Sequence, residues 1–165
     1  MTKHAIPETD ILIETIFWLI KNSWTIDAVS FPRGQEMNST DHHSYFKYRL
    51  EETSYSHLVD KITFLSNGPD ILASKDGKKW KIECKGYSDS KPQTQRNNFD
   101  RALASCVTYF DDKDNLKLGL AVPDFYKFDI QKRIPVALRE ALKISIFLFN
   151  TQSNIIEHYE PGHIL

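Results

Sequence analysis

Between residues 68 and 86 the chain reads Gly-Pro-Asp-Ile-Leu-Ala-Ser-Lys-Asp-Gly-Lys-Lys-Trp-Lys-Ile-Glu-Cys-Lys-Gly, and the Asp76-Gly77 pair at its centre constrains the fold more than any other feature. A tight two-residue hairpin loop needs positive φ at both central positions, which Asp and Gly tolerate, and both flanking runs have strand composition. Pairing register then follows by counting outward. Lys75 faces Lys78, Ala73 faces Trp80, Ile71 faces Ile82 and Asp70 faces Glu83. Alternate residues of a strand point to opposite sides. One face is therefore Ile71, Ala73, Trp80, Ile82 and Cys84, apolar enough for a core. The other carries Asp70, Lys79, Lys81, Glu83 and Lys85, interrupted by Leu72 and Ser74.

Like charges directly opposed on a sheet repel, so a plain hairpin gains nothing from Asp70 facing Glu83. A divalent cation reverses the sign of that contact. Opposed Cβ atoms lie about 4.5–5.5 Å apart, close enough for both carboxylates to reach one hard ion at about 2.0–2.1 Å for magnesium. Lys85, two residues from Glu83, could then hold or activate an attacking water.

Pro69-Asp70, a gap, then Glu83-Cys84-Lys85 resembles the signature of the PD-(D/E)XK phosphodiesterase superfamily. The resemblance implies a restriction-endonuclease-like α/β core, with a mixed central sheet flanked by helices. It also implies that Asp70 and Glu83 bind Mg2+, with Mn2+ able to substitute. The Cys84 main-chain carbonyl adds a ligand, and Lys85 orients the nucleophilic water. Many members place a further acid on the first helix, where Glu8 and Glu14 are the candidates here. Glu8 is preferred, because it aligns with Leu12, Thr15 and Leu19, whereas Glu14 keeps company with Asp10 and Lys21.

A chain of 165 residues with 41% hydrophobic content suits one domain with an adequate core. Net charge is -1, from 21 basic against 22 acidic residues, so no global basic field marks a nucleic-acid binder. Any such role rests on local distribution. Two cysteines, Cys84 and Cys106, and no secretory signal predict a reduced, cytoplasmic protein without disulfides. The most apolar run, Ile11 to Ile20, is broken by Glu14 and Thr15 and falls short of the roughly 20 residues of a membrane span.

The element order expected along the chain is α-β-β-β-α-β-α-β. Leu12, Ile16, Leu19 and Ile20 predict a first helix ending near Asn22-Ser23, followed by a strand over 24–29. A polar insertion spans about 30–57, whose aromatics and bases (Tyr45, Phe46, Lys47, Tyr48, Arg49) suit a short packed helix better than a nucleic-acid clasp. His42 and His43 project apart, which argues against zinc. Leu58 to Leu65 is expected to run as strand into the hairpin. A helix from Gln93 to Phe110, a buried strand over 116–122, a helix over 130–142 interrupted by Pro135 and a final strand over 144–149 complete the order.

The function expected is a metal-dependent endonuclease acting on DNA, with RNA left open, in restriction, phage defence or repair. Lys79, Lys81, Gln93, Gln95 and Arg96 are candidate nucleic-acid contacts. The resemblance makes a homodimer an expectation as well. The alternative is a catalytically silent nuclease-fold module that binds nucleic acid or a protein partner.

Overall fold

The structure, a computed structural model, describes residues 5–32 and 39–165. Part of the expected polar insertion, residues 33–38, lies outside them. Asp76 (φ 49°) and Gly77 (φ 77°) form the predicted turn between β3 (Ile71–Lys75) and β4 (Lys78–Cys84). The register is the one counted from the sequence, from Lys75↔Lys78 through Ile71↔Ile82. This hairpin is the centre of a seven-stranded mixed sheet flanked by helices. Its strand order is β2-β1-β3-β4-β5-β6-β7, where β1 is Thr25–Ser30, β2 Thr63–Leu65, β5 Leu116–Pro123, β6 Ile144–Asn150 and β7 Ile155–Tyr159. Pairing is parallel for β1/β2, β4/β5 and β5/β6 and antiparallel elsewhere.

Each sheet face has its own core. α1 (Glu8–Lys21) lays Ile11, Leu12, Ile16 and Leu19 on Ile71, Ala73, Trp80, Ile82 and Cys84, the hairpin face predicted to be apolar. On the reverse face, Phe99, Ala102 and Cys106 of α3 (Pro92–Thr108) join Leu118, Leu120, Val122, Ile144 and Ile146. Side chains of this kind each contribute about 1.5–3 kcal/mol when fully buried. The first core holds β4, the strand that carries Glu83, and α3 lies against that strand as well as β5.

Two expectations need correction. Residues 58–65 do not form one long strand: a 3-10 turn spans Ser56–Lys61, and only Thr63–Leu65 pair, parallel to β1. A strand parallel to β1 cannot run on into β3, which is antiparallel to β1, so the chain turns at Gly68 (φ 109°) and Pro69. The part of the insertion that is described is mainly a helix, α2 (Ser39–Glu51), as its packed aromatics suggest. Arg49 of α2 pairs with Glu14 at 2.6 Å and lies 3.6 Å from Asp10, while the Tyr45 hydroxyl donates to Asp10 at 2.8 Å. Lastly, the chain adds β7 beyond the expected final strand. The expected helix over 130–142 is two helices, α4 (Lys127–Arg133) and α5 (Val136–Leu142), because Pro135 starts a new one. Among the described residues no helix is long and apolar enough to cross a membrane.

Candidate active site

The site forms where the β3–β4 ladder stops. The last pair is Ile71↔Ile82, and continuing the register would set Asp70 against Glu83 and Pro69 against Cys84. In a two-residue hairpin the pair flanking the turn exchanges both backbone hydrogen bonds, and such pairs recur at every second position. Cys84 would thus exchange bonds with residue 69, but proline has no N–H to give. Pro69 therefore leaves the Cys84 carbonyl without its ladder donor. The Cys84 N–H, for its part, donates to Asp70 Oδ2 at 2.7 Å. That bond holds a carboxylate beside a backbone oxygen, and the Asp70 carbonyl is anchored in turn by the Ser30 N–H at 2.9 Å.

Glu83 projects from the α3 side of β4. Its Oε2 accepts from the Tyr109 hydroxyl at 3.3 Å, and Ser105 lies one turn before Tyr109. Lys85, just past the strand, forms an ion pair with Glu8 in the first turn of α1. Both side chains are largely buried, at 30% and 18% exposure. Of the two helix-borne acids expected, Glu8 thus lies beside the hairpin, while Glu14 is engaged by Arg49.

Glu8 is placed by backbone. Ile6 and Tyr87 exchange two hydrogen bonds, of 2.6 and 2.8 Å, which tie the chain leaving β4 to the start of α1. Gly86 sits inside this clasp, where an added Cβ would fall 2.5 Å from the Glu8 amide nitrogen and nearer still to the Ile6 carbonyl oxygen. Backbone atoms cannot swing aside. Gly86→Ala is therefore expected to cost about 1–3 kcal/mol of stability, as overpacking commonly does, and urea unfolding measures it.

The electrostatics follow from this crowding. Burial pushes the Asp70 carboxyl well above the ordinary range, and the Glu83 and Glu8 charges push it further, against the Cys84 N–H and Lys85. Glu83 is pushed up to about 7, first by burial and then by Glu8, while Tyr109, Ser105 and Lys85 oppose the rise. Three carboxylates share one ammonium. Such an excess of buried negative charge fits a hard divalent cation. Among the described residues no three His, Cys, Asp or Glu side chains are gathered into a ready metal cage. Magnesium does not need one, since it takes one or two carboxylates and keeps several waters.

The expected nucleic-acid contacts divide. Lys79 is exposed and Lys81 half-buried, both on the Glu83 face of β4. Gln93 and Arg96 are exposed and hydrogen-bonded to each other at 3.0 Å. Gln95 is buried instead. Its amide donates to Ser88 and Ser90 and accepts from the Tyr126 hydroxyl at 3.0 Å, bracing the turn after β4 against α3. Ser105 and Tyr109 were missed by sequence reasoning, although their spacing of four on one helix face was there to be read.

No protein-family model matches the sequence, and no curated protein sequence matches it. Among solved structures, an XisH family protein from Nostoc punctiforme PCC 73102 aligns with a TM-score of 0.48 at 17% identity, over 92% of this chain and 98% of that one. An fdxN element excision controlling factor protein from Anabaena variabilis aligns with a TM-score of 0.49 at 19% identity, over 93% and 98% respectively.

Proposed function

We propose that the chain is a magnesium-dependent nuclease that hydrolyses phosphodiester bonds in DNA. The observation that carries this reading is that Asp70, held on the Cys84 N–H, Glu83 and the Lys85–Glu8 ion pair come together at the end of the β3–β4 hairpin. Asp70, Glu83 and the Cys84 carbonyl would hold the cation, Mg2+ or Mn2+. When bound, an ion of this class polarises a phosphate oxygen and lowers the pKa of a coordinated water. The remaining work falls to the chain's own groups. Lys85 Nζ, aimed by Glu8, donates to the water or to the phosphate and offsets the negative charge that develops there. The Cys84 N–H fixes Asp70, and the Tyr109 hydroxyl fixes Glu83. Lys79 and Lys81 line the same face of β4 and suit the flanking phosphates.

The experiment is a cleavage assay on supercoiled plasmid, linear duplex and single-stranded DNA. Nicking or cutting is expected with Mg2+ or Mn2+ and is expected to stop with EDTA or with Ca2+ alone. DNA binding without cutting across these substrates and metals would replace this reading with that of a catalytically silent binding module.

A further inference from the structure

We infer that Tyr109 and Ser105 are positioning residues for Glu83, setting how tightly the site holds its divalent cation; the inference rests on the metal-site reading above. Ser105 sits in the last turn of α3 and Tyr109 caps its end, four residues on and hence on the same face. The Tyr109 hydroxyl donates to Glu83 Oε2 at 3.3 Å, and the Ser105 hydroxyl, on the same helix face, works against the upward shift of the same carboxyl. Neither is a loose surface group. The Tyr109 ring packs on the second core cluster, and the intervening Cys106 is fully buried with its thiol donating to the Gly119 carbonyl at 3.5 Å. The position of α3 on β4 and β5 is thereby passed on to Glu83.

The kind of donor matters. A lysine or arginine at this point would hold Glu83 equally well but would cancel its charge and compete with a cation. Hydroxyls donate hydrogen bonds while leaving the carboxylate's charge to be balanced by the ion. They occupy some of its roughly four lone-pair sites and leave the others to be aimed. Asp70 is treated alike, held by a neutral backbone N–H. Asp70 and Glu83 are thus both oriented by uncharged donors. Partners of this sort, bonded to a metal's carboxylate ligands, typically govern about 10–100-fold in metal affinity.

The test is a Mg2+ titration of the full chain followed by thermal melting, without DNA, on the wild type, Tyr109→Phe, Ser105→Ala and the double variant. Tyr109→Phe removes one oxygen and keeps the ring. The Mg2+ concentration giving half of the stabilisation is expected to rise about 10–100-fold in Tyr109→Phe. Ser105→Ala is expected to move it the same way. The double variant should shift less than the product of the singles, because both act on one carboxylate. In the cleavage assay, excess Mg2+ should restore most of the Tyr109→Phe rate. A lower metal-free melting temperature with an unchanged Mg2+ midpoint would mean that the hydroxyls only stabilise the fold, and would overturn the inference while leaving the nuclease reading intact. A wild type that neither responds to Mg2+ or Mn2+ nor cuts DNA would overturn both.

Discussion

Lys85→Ala is expected to slow DNA cleavage by about 100- to 10,000-fold, the range associated with losing a group that moves or holds a proton in the transition state. The Lys85 ammonium forms an ion pair with Glu8 and moderates the charge of Asp70 and Glu83. Truncation to alanine removes the proposed donor to the water and a positive charge that moderates both carboxylates. Lys85→Arg keeps the charge but spreads it over a planar fork that cannot present the same compact donor. The arginine variant should therefore recover stability without recovering the rate. Glu8→Gln separates aiming from chemistry: it leaves Lys85 in place without its partner, so its loss of rate should be smaller. The measurement is the single-turnover rate at saturating Mg2+ for the three variants, alongside their melting temperatures. Wild-type rates in Lys85→Ala would remove Lys85 from the mechanism.

How far the site could be read in advance varied with the range of the interactions. The hairpin register was legible because a two-residue turn leaves no freedom: once Asp76 and Gly77 form the loop, every later pair is fixed. The choice of Glu8 over Glu14 followed from helix periodicity, which set Glu8 toward the sheet and left Glu14 to Arg49. Interactions joining distant segments were not legible. Tyr109 meets Glu83 only because α3 seats on β4 and β5 through Cys106 and Phe99, and nothing local to residue 109 announces that seating. Gln95 looked like an exposed helix start because its partners, Ser88 and Tyr126, reach it from segments on either side of α3. β7 escaped notice because Ile155–Tyr159 is short, with Ile156 its one buried residue. The aromatics of α2 announced a packed helix, but its tie to α1 through the Tyr45, Arg49, Asp10 and Glu14 network joins distant segments and was not legible.

Melting of the metal-free protein should depend on pH in a direction opposite to that of ordinary salt-bridged carboxylates. Folding raises the Glu83 carboxyl from 4.5 to about 7 and moves Asp70 upward as well, so the folded state retains protons that the unfolded chain releases. The stability linked to Glu83 is complete below its unfolded value and is lost as pH rises through about 7. Without metal the protein is therefore expected to melt at a lower temperature at about pH 8 than at about pH 5.5, with Mg2+ closing the gap at the higher pH. Asp70→Asn isolates the cause, because an asparagine carbonyl can still accept the Cys84 N–H while the charge is gone. Metal-free Asp70→Asn at about pH 8 should melt at least about 2–4 °C above wild type, the shift produced by about 1 kcal/mol in a chain of this size. The same variant should lose its response to Mg2+ and its ability to cut. Calorimetric melting of both proteins at the two pH values, with Mg2+ or with EDTA, reads all of these effects at once. Asp70→Asn melting below wild type at both pH values, with its Mg2+ response intact, would mean that Asp70 is needed for its hydrogen bond and not for its charge. The reading of the opposed carboxylates as a cation site would then fall.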